Sequence, residues 1–154
     1  MSNIRAITTA LSAVVVSYTA EQGGTVTPTS YDIVNVAGSM PAGNLPVRLW
    51  GVARGESNSQ FSQVSAGVGD GVVRHAISEL CLIEAVGLSR VQDEWPDCMR
   101  YSDAVNVAMQ AARAIFARSE ITGLATTRGV FEWPEGGGDF FFGTRTVVYV
   151  TEYQ

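Results

Sequence analysis

Residues 72–86 read VVRHAISELCLIEAV, and the fold turns on whether this stretch is a strand or a helix. With a period of two, His75, Ile77, Glu79, Cys81, Ile83 and Ala85 share one face. Ala76, Ser78, Leu80, Leu82, Glu84 and Val86 share the other. Both faces mix apolar and polar groups. Ala, Glu and Leu are good helix formers, so a helical reading stays open. The Gly-rich approach at Gly67, Gly69 and Gly71 and the β-branched residues favour one long strand.

Downstream, residues 87–100 contain DEWPD and read as a loop. A helix is expected from Ser102, a suitable N-cap, with Asp103 in its first turn. Its apolar face is Val105, Ala108, Met109, Ala112, Ile115 and Phe116, with Arg113 and Arg118 toward the C-terminal end and Gly123 as the stop. Residues 124–133, a PEGGG turn and residues 139–153 then predict a hairpin, marked by Val130, Glu132, Phe141, Val147, Tyr149, Thr151 and Tyr153.

Upstream, residues 46–53 (PVRLWGVA) alternate as a strand anchored by Trp50. Residues 53–71 are small, polar and Gly-rich, and a structureless loop of that length is unusual inside a compact domain. They are expected to form a mobile arm or wide hairpin that orders against a partner. Residues 31–36 (YDIVNV) are a short strand or an irregular arm within a Gly/Thr/Ser/Pro-rich segment. Ile4, Ile7, Leu11, Val14, Val15 and Tyr18 fall on one helical face, which favours an amphipathic helix over a signal peptide. The expected architecture is a single α+β domain over residues 1–154: a largely antiparallel sheet flanked by two helices and closed by a C-terminal β-hairpin.

Composition narrows the function. Of 154 residues 46% are apolar and 16% charged, in the globular range, and no apolar run approaches the about 20 residues that cross a bilayer. The net charge of −5 opposes tight nucleic-acid binding, which needs clustered cations. All ten basic residues are Arg, a bias that suits a skewed genome or guanidinium-rich interfaces. Without Lys there is no P-loop, Schiff-base enzyme or Ser–Lys dyad. Cys81 and Cys98 have no metal spacing and read as reduced, inert thiols.

No catalytic residue, cofactor site or metal site is expected. The single histidine, His75, sits mid-strand without a sequence partner. Gly67, Gly69 and Gly71 precede a strand, so they lack the helix N-terminus that a phosphate loop needs. Asp93, Glu94 and Asp97 read as solvated loop charges without calcium-loop spacing. Phe140, Phe141 and Phe142 must point to both faces of their strand. That demands either a sheet buried on both sides or an apolar patch covered by another subunit.

The order of elements resembles that of the tail terminator proteins of long-tailed bacteriophages. The likeness rests on the N-terminal helix, the central strand RHAISELCLIEAVG, the helix SDAVNVAMQAARAIF and a Gly-turned hairpin finishing VVYVTEY. It is carried by element types and lengths, with no signature residues. The resemblance implies a structural virion protein, made in the host cytoplasm and residing in the tail or neck. It would form a homohexameric ring that caps the tail tube and joins it to the head–tail connector. Its partners would be further copies of itself, the tail tube protein and the connector or neck protein. No sequence-specific nucleic-acid binding, no membrane and no cofactor are expected. Candidate subunit contacts are Arg54, Phe61, Arg74, Phe140, Phe141 and Phe142. A tail-tube or other neck adaptor subunit is the near alternative. The alternative of another class is a small α+β enzyme or ligand-binding domain, with His75, Glu79, Asp97 and Tyr101 converging in a pocket between helix and sheet.

Overall fold

The computed structural model describes residues 4–31, 45–50, 58–63, 71–86, 91–133 and 138–153, with backbone alone at 58–63 and 91–95. Its elements are α1 (Ile4–Ser12), β1 (Tyr18–Thr19), β2 (Thr25–Val26), β3 (Thr29–Tyr31), β4 (Val47–Trp50), β5 (Asn58–Gln63), β6 (Gly71–Ala85), α2 (Val91–Ala111), β7 (Ser119–Trp133) and β8 (Asp139–Tyr153). This is the expected α+β arrangement, a largely antiparallel sheet with two helices and a closing β7–β8 hairpin.

The decisive stretch is one strand. Along one edge β6 pairs antiparallel with β8 from Val72–Tyr153 to Ala85–Phe141. Its other edge is shared in tandem: β5 takes residues 71–76 and β4 takes residues 79–82, both antiparallel. β3 adds parallel to β4, and β7 lies outside β8, giving the order β3-β4-β6-β8-β7. A strand with neighbours on both edges and cover on both faces buries nearly every side chain. That explains why β6 shows no apolar–polar alternation, and its buried polar residues His75 and Glu79 are engaged by partners.

The register separates the two faces of the sheet. On the helix side Ile77, Cys81 and Ile83 join Trp50, Ile121, Phe142, Val148 and Val150. Ile7 and Leu11 of α1 and Cys98, Tyr101, Val105 and Met109 of α2 pack over them. A smaller cluster of Val47, Leu49, Leu80, Leu82 and Phe141 lies on the other side, with Tyr31, Leu45, Phe131 and Trp133 at its margin. A β-bulge between Leu82 and Glu84 brings β6 against Gly143. A Cβ there would stand 2.2 Å from the Cys81 carbonyl oxygen, so only glycine fits without a backbone shift.

Helix α2 begins eleven residues before the expected Ser102, so the expected loop at 87–100 is helical from Val91. Ser102 is no N-cap: it lies inside the helix, its hydroxyl donating to the Cys98 carbonyl at 2.9 Å. Pro96 forfeits one backbone bond near the helix start, a loss outweighed by burying Cys98, Tyr101, Val105 and Met109 along one stripe. The helix ends at Ala111, leaving Arg113, Ile115, Phe116 and Arg118 beyond it. Gly123 belongs to β7, next to the bulge and across from Tyr149. Helix α1 is also shorter than its apolar periodicity, because the β-branched run Val14–Val16 leaves the helix and carries the chain to β1.

Candidate functional site

A group of polar residues on the helix-side face, beneath the helices, is sealed inside the protein. Arg48 on β4 donates through Nε (3.0 Å) and Nη2 (2.8 Å) to Oε2 of Glu79 on β6. Its Nη1 donates to the Val14 carbonyl just beyond α1, and the guanidinium lies 5.5 Å from the Trp50 ring centre. Tyr101 on α2 donates its hydroxyl to Oε1 of Glu79. One buried carboxylate thus ties together the sheet, α2 and the chain leaving α1. Burial works to lower the Arg48 pKa, but the charge of Glu79 and its neighbours more than offsets this, and the guanidinium stays firmly protonated. Burial, followed by the Glu79 charge, pushes Tyr101 and Cys81 well above their ordinary values. Cys81 is therefore a protonated core thiol.

Two of the four residues named for a pocket enzyme do converge: Glu79 and Tyr101. They meet in a fully buried contact in which both carboxylate oxygens are engaged. His75 points elsewhere, its Nε2 2.9 Å from Oε2 of Glu152 on β8, with both side chains buried. Asp97 accepts the backbone N–H of Glu21 at 2.8 Å and braces the β1–β2 turn on α2. Two surface grooves adjoin the helices. One, of about 610 Å³, lies between α2 and the start of β7, lined by residues that include Met109, Arg113 and Ile121. The other, of about 730 Å³, runs along the outer side of α1 beside Phe116. Neither is lined by any of the four residues. Among the described residues no group of three or more His, Cys, Asp or Glu could hold a metal ion.

The surface is a different matter at the far end of the β7–β8 hairpin. Phe140 is 55% exposed and lies directly across from Glu132 on β7. Val130 stands one step along the same face at 52% exposure. Val86, which follows β6 and donates its N–H to the Phe140 carbonyl, is 42% exposed. The three make an apolar strip on the helix-side face, and beside it the outer edge of β7 has no described strand paired to it.

The predicted contact residues distribute unevenly over this surface. Phe141 and Phe142 are buried on opposite faces of the sheet, so of the triplet Phe140 meets solvent. Burial on both sides of the sheet holds for Phe141 and Phe142, and Phe140 is left exposed. Arg74 is exposed, but it sits at the opposite end of the β6–β8 ladder, across from Thr151. Phe61 pairs by its backbone with Val73, and its side chain lies outside the described residues, as does Arg54. In the expected arm at 53–71, residues 58–63 form β5 and the rest up to Gly71 lies outside the described residues. Sequence reasoning placed Val130 and Glu132 in the hairpin without seeing that Val130 and Phe140 would meet solvent together.

No family model matches this chain, and comparison with characterised proteins finds no significant match.

Proposed function

We propose that this chain is a structural ring subunit of the tail terminator kind, one that caps a phage tail tube and offers a surface to the head–tail connector. The observation that carries the reading is the contrast between a sealed interior and an open hairpin end. His75, Glu79, Tyr101 and Glu152 are buried with their partners engaged. The apolar strip of Val86, Val130 and Phe140 faces solvent, and one edge of a fifteen-residue strand has no described strand beside it. The sheet ends in unlike edges, β7 on one side and the shorter β3 and β5 on the other. A ring closes through such heterologous contacts, one surface of each subunit meeting a different surface of the next. Strand edges and exposed apolar side chains are suited to that task. The net charge of −5 would let DNA slide through a channel without adhering.

Negative-stain electron microscopy at high concentration, with a mass measurement in solution, tests the proposal. The expected result is six-fold rings with a central channel, weakened by Phe140→Asp and Arg74→Glu. Rings that form normally with both variants would remove those two residues from the contact. A chain that stays monomeric at every concentration and in the presence of tail tubes would overturn the reading. Copy number per particle separates a terminator, present as one ring, from a tube subunit, present as many.

A further inference from the structure

The outer edge of β7 is complementary to itself. Arg128 and Glu132 both lie on the helix-side face, two positions either side of the exposed Val130. They stand about 13 Å apart along an extended strand, too far to pair with each other. The β8 residues directly across from them, Thr144 and Phe140, carry no charge. Arg128 is exposed, while one carboxylate oxygen of Glu132 accepts the Gly138 N–H at 3.2 Å, which steadies it at this end of the strand.

We infer that two copies of this chain pair antiparallel through the outer edges of β7, about a two-fold axis at Val130. In that register Arg128 of each copy lies opposite Glu132 of the other, on the same face, and the two Val130 side chains meet at the axis. On the reverse face Phe131 lies opposite Gly129 of the other copy, where a built Cβ would touch nothing within 4 Å and an aromatic ring has room. Residues 127–133 of each copy would exchange backbone hydrogen bonds along an edge that has no described strand beside it. Shifting the register by one residue in either direction sets Arg128 or Glu132 opposite an uncharged residue or beyond the strand. β7 carries no Lys or Pro, and its bulge, between Ile121 and Gly123, lies outside the paired segment 127–133. The pairing is isologous and occupies the β7 edge that a heterologous ring contact would use, so a chain makes one or the other, and the pairing does not rest on the ring reading.

Analytical ultracentrifugation across a concentration series tests this on the whole chain. The expected result is a reversible dimer of the unaltered protein. Arg128→Glu and Glu132→Arg should each weaken it at least about tenfold, because two cross-strand pairs become repulsive at once. The double variant, with the charges exchanged, should regain the original affinity to within about threefold. An equimolar mixture of the two single variants should form a heterodimer tighter than either alone. Val130→Lys, which sets two ammonium groups against each other at the axis, should abolish the dimer, and thermal melts establish that each variant is folded. Single variants as dimeric as the parent, or a double variant and mixture that recover nothing, would overturn the register. A parent that is monomeric throughout, or that passes to rings without a dimer, would overturn the pairing itself. The second outcome would leave the ring reading standing.

Discussion

Two regions of the molecule use the same residue types to opposite effect. Beneath the helices, Arg48, Glu79 and Tyr101 place a cation, a carboxylate and an aromatic ring together out of water. Near the hairpin end, Arg128, Glu132 and Phe140 offer the same three groups at the surface. In the interior each charge has lost its hydration, so geometry must be complete and removal of one partner is severe. At the surface the charges keep much of their hydration, and their intramolecular value is small. Buried charges of this kind can only hold a chain together. Charges left at an open strand edge can choose what joins it.

The strongest way to break the comparison is at the buried carboxylate. Arg48→Met should destabilise the fold by about 3–5 kcal/mol in chemical denaturation, because Glu79 remains as an uncompensated buried charge. Replacing Glu79 with Leu in the same chain should recover most of the loss. If Arg48→Met costs no more than an ordinary surface change, the interior is wetter than its burial suggests.

An intermediate effect is expected at alkaline pH. Cys81 and Tyr101 keep their protons in the folded protein to well above their ordinary values. The unfolded chain releases them from about pH 8.5 and about pH 10 respectively. The folded state then binds more protons, so stability is intact below about pH 8.5 and falls as pH rises. The loss is about 1.4 kcal/mol per pH unit for each group that has begun to ionise in the unfolded chain. Tyr101→Phe should flatten the steeper part of that decline in thermal melts followed from pH 7 to strongly alkaline solution. An unchanged profile would mean that Tyr101 is not what fails.

The smallest effect belongs to the open end. Phe140→Ser should change the stability of the isolated subunit by no more than about 0.5 kcal/mol, since more than half of this side chain is already in water. A large loss of stability in Phe140→Ser would show that Phe140 belongs to the core, and the contrast between the two regions would collapse.

The strand at 72–86 and the final hairpin were legible because their periodicity and turn residues report purely local choices. The start of α2 was not. DEWPD carries Pro and acidic residues that resemble a loop, and only the burial of Cys98 and Tyr101 against a distant sheet makes the segment helical. The sequence could name Glu79 and Tyr101 as candidates, but not the Arg48 that engages Glu79. That partner comes from a strand 31 residues away, brought alongside by the β4–β6 register. The Phe triplet was legible as a two-faced feature. Which ring would be left in solvent depended on the tertiary packing.

The placement of β8 bears on how the chain is made. This strand, the latest of the eight to be synthesised, lies inside the sheet between β6 and β7. While a ribosome is still adding residues 139–153, β6 lacks its long partner and β7 has nothing to lie beside. The halves of the molecule cannot close over α2 until that strand arrives, and its contacts reach back as far as Val72. A nascent or broken chain ending before Asp139 would have neither a finished subunit core nor the hairpin, so translation errors would be kept out of any assembly by geometry alone.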